Sequence, residues 1–294
     1  MIRITSCGLR ATIQDRGRTG HAREGIPPSG PADPVAFAAS LALAGCGDDD
    51  AAIEVIGLPF AFRCDDRRIV AVTGRDVRVR TRVPVAGWTS VLARPGEEVV
   101  VEGSALTRFA YVALSGGIAL PRVLGSRATY LPASLGPLPR PLIAGDELAL
   151  GASIAGVEVA GRRIVPPAYG GRARAVAGPH DARFPDGSVS TFFSATFTVS
   201  PESDRMGVRL VGVAVAPAVD ELLTCGIVAG AVQVPHGGAP IVLLADHQTT
   251  GGYPIIATVI RADLGQVAQA APGEELRFER VTPEDPRRSR VERT

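Results

Sequence analysis

Four stretches of this chain gather guanidinium, carboxylate, hydroxyl and glycine groups, the set that binds and polarises small anionic or carbonyl-bearing ligands. The densest is Leu244-Ala245-Asp246-His247-Gln248-Thr249-Thr250-Gly251-Gly252-Tyr253-Pro254, which lies between two strongly apolar runs. Polar residues at a strand exit must find partners or solvent, and paired glycines let backbone N–H groups come close to an anion or a carbonyl oxygen. A Gly-Gly hairpin with threonine caps is the plain structural alternative. The second stretch, Ser200-Pro201-Glu202-Ser203-Asp204-Arg205-Met206-Gly207-Val208-Arg209-Leu210, carries an Asp-Arg pair before a strand. Its planar guanidinium suits a carboxylate or phosphate, or makes a surface ion pair. The third, Val123-Leu124-Gly125-Ser126-Arg127-Ala128-Thr129, sets a hydroxyl next to a guanidinium. The fourth runs from Thr12-Ile13-Gln14-Asp15-Arg16-Gly17-Arg18-Thr19-Gly20 through Gly25-Ile26-Pro27-Pro28-Ser29-Gly30-Pro31-Ala32-Asp33. A connection of that length in a compact domain is often functional, or else a stiff Pro-rich cover.

Composition narrows the chemistry. The 294 residues carry 31 basic and 30 acidic side chains, a net charge of +1. That balance speaks against nucleic-acid binding, which needs a basic excess or stripe. Every basic residue is arginine; lysine and asparagine are absent. No lysine can form a Schiff base, complete a Walker A loop or carry biotin or lipoate. The nucleophile elbow G-x-S-x-G, the zinc motif H-E-x-x-H, the EF-hand loop and G-x-G-x-x-G are all missing. The four histidines, His21, His180, His236 and His247, have no ligand spacing, so no metal site is expected. Cys7, Cys46, Cys64 and Cys225 form no C-x-x-C pair and read as reduced, mostly buried thiols. The N-terminal residues lack a signal-peptide pattern and no apolar run is long enough to span a bilayer, so a cytoplasmic protein with no membrane partner is expected.

The elements that must position these stretches are mostly strands. The 34 glycines and 24 prolines fall between short β-branched runs, the punctuation of an all-β chain with a few short helices. Expected strands are Arg68–Thr73, Val99–Glu102, Phe109–Leu114, Ala231–Val234, Ile241–Ala245 and Ile255–Ile260. Several are apolar throughout, as in strands covered on both faces. The clearest helix has Asp33 as N-cap, Pro34 at its first position and a stop near Gly45; a weaker one lies near Asp263–Ala268. The length suggests two domains, residues 1–160 and 172–282, joined by a linker at Gly161–Gly171 and followed by a charged, frayed tail at 283–294. Ala144–Leu150 echoes Pro272–Phe278, but Pro95–Val100 has the same form, so the echo can equally be a habit of entering hairpins.

Taken in order, Thr12-Ile13-Gln14-Asp15 with Gly17-Arg18 and Gly20, Gly25-Ile26-Pro27-Pro28-Ser29-Gly30 with Asp33, Leu124-Gly125-Ser126-Arg127, Ser203-Asp204-Arg205-Met206-Gly207 and Gln248-Thr249-Thr250-Gly251-Gly252-Tyr253-Pro254 resemble the biotin-dependent carboxyltransferase-like family. That family includes allophanate hydrolase subunit 2, the C subunit of 5-oxoprolinase, the Kip kinase-inhibitor antagonist and the carboxyltransferase region of urea carboxylase. The likeness covers nearly the whole chain. It departs at His247, where arginine is usual, at His21, where an aromatic residue is common, and at the turn His236-Gly237-Gly238-Ala239.

The resemblance implies two cyclophilin-like β-barrel domains and a partner of subunit-1 or kinase-inhibitor type in a heteromeric complex. It implies a subunit of an ATP-dependent amide or lactam hydrolase, foremost one opening 5-oxoproline to glutamate, with ATP and Mg²⁺ used by the complex. On that reading Arg127 and Arg205 face phosphate or substrate carboxylate, and Asp246 is a base or Mg²⁺ ligand. Gly251 and Gly252 are oxyanion donors, and Gln248, Thr249 and Tyr253 position the substrate. Asp15, Arg18, Ser29 and Ser126 complete the substrate contacts. The alternatives are allophanate hydrolase subunit 2 or carboxyl transfer from biotin on a separate carrier, and a non-enzymatic antagonist of a histidine-kinase inhibitor.

Overall fold

The computed structural model describes residues 1–153, 159–218 and 222–284; of the expected tail, residues 285–294 lie outside the described residues. The chain divides into two compact units. One holds Met1–Thr19 and Ser29–Ala168, the other Gly20–Pro28 and Tyr169–Thr294.

The first unit contains β1 (Ile2–Cys7), β2 (Arg10–Gln14), α1 (Pro34–Ala44), β3 (Ala52–Ile56), β4 (Phe60–Cys64), β5 (Arg68–Gly74), β6 (Arg78–Arg80), β7 (Pro84–Ala86), β8 (Thr89–Ala93), β9 (Glu98–Glu102), β10 (Ala110–Leu114) and β11 (Glu147–Leu148). They form a six-stranded sheet, β11-β1-β4-β9-β6-β7, and a five-stranded sheet, β2-β3-β10-β5-β8. One apolar core takes Ile2, Ile4, Phe60, Phe62, Val99 and Val101 from the first sheet and Ile13, Ile53, Val70, Val72, Val112 and Leu114 from the second.

Strands β5 and β10 are buried along their whole length because their alternate side chains meet different covers. Val70, Val72, Val112 and Leu114 enter the core. Thr73 and Tyr111 meet α1: the Thr73 hydroxyl donates to the Ala36 carbonyl at 2.6 Å, and the Tyr111 ring stands edge-on to Phe37 at 6.0 Å. The helix starts where the sequence indicates. The Asp33 carboxylate accepts from Val35 and Ala36 N–H, Pro34 occupies the first turn, and Gly45 ends the helix in the left-handed conformation.

The second unit contains β12 (Arg172–Ala177), α2 (Ser188–Ser194), β13 (Thr196–Val199), β14 (Gly207–Val211), β15 (Cys225–Gly226), β16 (Ala231–Gln233), β17 (Ile241–Leu243), β18 (Thr250–Gly251), β19 (Ile255–Val259), α3 (Leu264–Gln269) and β20 (Glu275–Arg280). Seven of its strands close into a barrel, β12-β19-β16-β17-β14-β13-β20, and β15 pairs with β18 as a separate two-stranded arm. Helix α2 brings Phe192 onto Phe278 of β20, with ring centroids 4.6 Å apart and nearly parallel. Asp263, at the start of α3, makes no cap; both of its oxygens bind the Arg174 side chain on β12 at 2.7 and 2.9 Å.

Two expectations change in detail. The linker does not begin at Gly161, because Gly161 and Ile164 donate to the Ser90 and Trp88 carbonyls and Arg162 accepts from Ser90 N–H, extending the β8 edge. Of the four free thiols only Cys64 is buried; Cys7, Cys46 and Cys225 are partly exposed.

The internal echo is a turn device used three times. Arg94–Glu97, Ile143–Asp146 and Ala271–Glu274 each close an i to i+3 backbone bond of 3.0–3.1 Å around a glycine with φ between 74° and 96°. In each, the fourth residue's carboxylate accepts from the first residue's N–H, at 3.0, 2.9 and 2.8 Å respectively.

Candidate functional site

The residues singled out by the sequence fall into two clusters, one in each unit. In the first unit they form a closed network around Asp15. Its Oδ1 accepts from Gly17 N–H at 2.9 Å and from the Ser126 hydroxyl at 2.5 Å, and its Oδ2 accepts from Arg127 N–H. The Ser126 hydroxyl also accepts from Ala128 N–H, so both functions of this buried side chain are spent on loop geometry. Val123 and Ser126 exchange backbone bonds across a tight turn whose central residues, Leu124 and Gly125, both have positive φ.

Arg127 turns its guanidinium to the Leu120 and Asp49 carbonyls, at 2.7 and 3.1 Å. Arg18 is only 1% exposed and donates from Nε and Nη2 to the Val123 and Ala128 carbonyls. Burial pushes its guanidinium below the ordinary arginine value, and the Asp15 charge pulls the other way. Ser29 and Gly30 take successive left-handed conformations, φ 53° and 81°. A side chain at Gly30 would stand 3.0 Å from the Asp15 carbonyl oxygen, so this glycine lets the Pro-rich loop lie against the Asp15–Gly17 backbone.

In the second unit, Arg205 and Asp246 make a two-pronged ion pair. Nε meets Oδ2 at 2.7 Å and Nη2 meets Oδ1 at 2.9 Å, with the side chains 5% and 6% exposed. The pair is fixed from the main chain as well, since Leu244 donates to the Met206 carbonyl and Asp246 to the Arg205 carbonyl. With both oxygens in the fork, Asp246 is built as the buried counter-ion of Arg205. Among the described residues no group of three or more His, Cys, Asp or Glu side chains could hold a metal ion.

Next in sequence, His247 is buried, with Nδ1 2.6 Å from the Gln248 carbonyl oxygen. Burial lowers its pKa, outweighing the Gln248 bond and the Asp246 charge, which both favour protonation. The Gln248 side chain donates to Gln233 Oε1 at 2.9 Å. Thr249 is buried and its carbonyl accepts from Ile227 N–H. Gly251 pairs with Cys225 in the β15–β18 arm, the Gly252 carbonyl accepts from Leu222 N–H, and Tyr253 is 40% exposed.

Two residues escaped the sequence reading as site members, Gln14 and Gln233. Among the described residues, the buried side-chain atoms without a hydrogen-bond partner are Gln14 Oε1, Arg18 Nη1 and Gln233 Nε2. Gln14 Nε2 donates to the Thr129 carbonyl, and Arg18 Nη2 to the neighbouring Ala128 carbonyl. The signal in the sequence was an uncharged amide at the end of each of two short strands, β2 and β16.

Comparison with known proteins adds the family. The model of the carboxyltransferase domain, subdomains A and B, matches residues 24–280. The chain is 34% identical to the C subunit of 5-oxoprolinase from Escherichia coli K12, over 99% of this chain and 94% of that one. It is 35% identical to the corresponding C subunit from Haemophilus influenzae, over 96% and 92%. Among solved structures, the urea carboxylase of Kluyveromyces lactis superposes with a TM-score of 0.88 at 25% identity, over 99% of this chain and 28% of that one. The arginine, acid and glycine segments of the two units are thus those of a member of the carboxyltransferase subdomain A and B family, to which this chain belongs.

Proposed function

We propose that this chain is the C-type subunit of an ATP-dependent 5-oxoprolinase, working with partner subunits to open 5-oxoproline to glutamate. The observation that carries the reading is the likeness to two 5-oxoprolinase C subunits over more than nine-tenths of each chain. An unactivated lactam resists water. Transfer of the ATP γ-phosphoryl group to the lactam oxygen lets water add at the ring carbon. The C–N bond then breaks to leave an acyl phosphate, which a second water hydrolyses.

That sequence calls for fixed cations beside the phosphoryl oxygens and for N–H donors at the developing oxyanion. In the second unit Arg205 supplies the first on this reading, and Gly251 and Gly252 the second; Arg127, held by the Leu120 and Asp49 carbonyls, belongs with the loops of the first unit. Asp15, Ser126, Arg18 and Ser29 shape the loops of the first unit, while Gln248, Thr249 and Tyr253 line the second. Asp246 holds Arg205 in register, and Mg²⁺ arrives with ATP. We place the complex in the cytoplasm, with a partner of subunit-1 or kinase-inhibitor type. The chain, co-purified with its A- and B-type partners, should convert 5-oxoproline and ATP to glutamate and ADP; absence of glutamate with all subunits supplied removes the proposal.

The likeness to urea carboxylase supports a second reading, carboxyl transfer to or from biotin. The chain has no lysine, so biotin would come on a carrier protein, and the unpartnered Gln233 donor is of the kind a ureido carbonyl accepts from. Turnover that requires a biotinylated carrier and not 5-oxoproline would favour this alternative.

A further inference from the structure

Outside the Arg205–Asp246 cluster, one cavity of the second unit gathers three arginines. It has a volume of about 350 Å³, lies between the end of α2 and strands β12 and β20, and is lined by Arg172, Arg277 and Arg280 together with Phe193, Ala195 and Glu279. That volume exceeds a bare phosphate ion and falls within the about 300–1,000 Å³ of small-molecule sites.

Strands β12 and β20 run parallel, with Arg172 in register with Arg277. Neighbouring strands lie about 4.8 Å apart and residues in register point to one face, so two positive charges are held side by side, at a cost in stability. The carboxylates nearby do not cancel them. Glu279 stands in register with Arg174, which gives it a cation of its own. Glu275 accepts from Arg277 at 3.4 Å, a long contact between exposed groups. The side chains of Arg172 and Arg280 make no hydrogen bond or ion pair among the described residues. The lining thus sets three positive charges against one, in a chain whose net charge is only +1.

Arg280 is oriented by a stack of rings rooted in the barrel. Phe192 is fully buried and stacks on Phe278 at 4.6 Å, Phe193 stands edge-on to Phe192 at 5.1 Å, and the Arg280 guanidinium lies over the Phe193 ring at 5.7 Å. A guanidinium stacked in this way spends its face on the ring and keeps its N–H edge for an acceptor.

We propose that this cavity binds a small phosphate monoester, with Arg172, Arg277 and Arg280 on the phosphate oxygens and Phe193 and Ala195 beside the organic group. A carboxylate is filled by one fork in its own plane, whereas a phosphate offers oxygens in three directions and takes forks from several sides. The bound dianion would also screen Arg172 from Arg277. A single compact cavity on a chain of balanced charge suits a small molecule, since a nucleic acid needs a longer basic track. This site does not depend on the lactam chemistry proposed above.

Titration calorimetry of the purified chain with phenyl phosphate, inorganic phosphate and benzoate tests the site. Phenyl phosphate should bind once per chain, about tenfold more tightly than benzoate, and more weakly as salt rises. Inorganic phosphate, which leaves the rest of the cavity empty, should bind less tightly than the ester. Arg172→Gln and Arg280→Gln should each weaken phenyl phosphate about tenfold, the loss of one charge-assisted contact. Without ligand, Arg172→Gln should melt no lower than wild type, because Arg277 then faces no like charge. Arg63→Gln, at an exposed arginine of the first unit, should leave the affinity unchanged.

A wild type that binds no phenyl phosphate, or binds benzoate as tightly, overturns the site. So does an equal loss in Arg63→Gln, which would mean unspecific attraction, or binding confined to an oligonucleotide. Inorganic phosphate binding as tightly as the ester overturns the assignment to a monoester. If a variant fails to fold, the side-chain Nε–H resonances of the wild-type arginines decide: those of Arg172, Arg277 and Arg280 must shift with phenyl phosphate, and shifts confined to other arginines overturn the site.

Discussion

Replacing Asp246 by asparagine removes the charge that the Arg205 fork meets at 2.7 and 2.9 Å while keeping nearly the same volume. The Arg205 and Asp246 side chains are 5% and 6% exposed, so the fork would lose its two charge-assisted bonds to Asp246 at a place where water cannot replace them. Removing one partner of such a pair costs about 3–5 kcal/mol, against about 0–1 kcal/mol for an exposed pair. At about 2–4 °C per kcal/mol for a domain of this size, the loss corresponds to a fall in melting temperature on the order of 10 °C. Urea unfolding of wild type and Asp246→Asn, followed by hydrogen exchange of the β14 and β17 peptides, measures the effect beside the main-chain ties to Arg205 and Met206. A single-variant loss below about 1 kcal/mol would refute the reasoning, since it would put the pair in the range of solvent-screened bridges.

Gly96→Ala, Gly145→Ala and Gly273→Ala should each cost about 1 kcal/mol in urea melts, because a Cβ at these positions meets nothing within 4 Å and only the positive φ is penalised. Gly8→Ala should cost several times more, since its Cβ would lie 1.9 Å from the Gly57 carbonyl oxygen. His247, held below the ordinary 6.5 by burial, refuses a proton that the unfolded chain accepts, so its contribution to stability is full above about pH 6.5 and declines as the pH falls below it. Denaturation midpoints taken from pH 7.5 to 5 should therefore fall more steeply for wild type than for His247→Phe, and parallel curves would contradict this. Burial pushes the Cys46 and Cys64 thiols up to about 11 and about 12, so both should resist alkylation at pH 8 until the chain unfolds, as peptide mapping of labelled protein would report.

What could be read from the sequence was whatever local chemistry decides. Helix α1 was legible to its ends because Asp33, Pro34 and Gly45 act within one turn of where they stand. The apolar runs at Arg68–Thr73 and Phe109–Leu114 were legible as strands covered on both faces, because neither face carries an alternating polar set. The Pro-Gly-Glu and Ala-Gly-Asp turns were legible as one device, since each closes on itself through a four-residue ring. Where long-range partners decide, the same rules point elsewhere. Asp263 stands where a helix cap belongs, yet its carboxylate goes to Arg174, because two charge-assisted bonds to a planar fork outweigh one cap. The β15–β18 arm is two residues long on each side, too short for any periodicity, and exists because it flanks the Gln248–Gly252 backbone. Helix α2 follows Gly187 with no side-chain cap, and is held instead by Phe192 against Phe278.

The candidate site obeys the same division. Asp204-Arg205 reads as an adjacent pair, but neighbours in a chain seldom share a face. Arg205 instead forks onto Asp246, brought from the next polar segment because the main chain between β17 and β18 is tied to Arg205 and Met206. Gln14 and Gln233 each end a short strand as an uncharged amide, which a search for charged or nucleophilic groups passes over. Only the folded chain shows that each keeps a buried polar atom unpaired, a cost of about 1–3 kcal/mol per atom. A fold selected for stability alone would replace such an amide with leucine or methionine, which fill the same volume without the penalty. Arg18 Nη1 carries the same cost in the first unit. These three atoms are the points in the two clusters where an ordered water or a ligand would find a ready donor or acceptor.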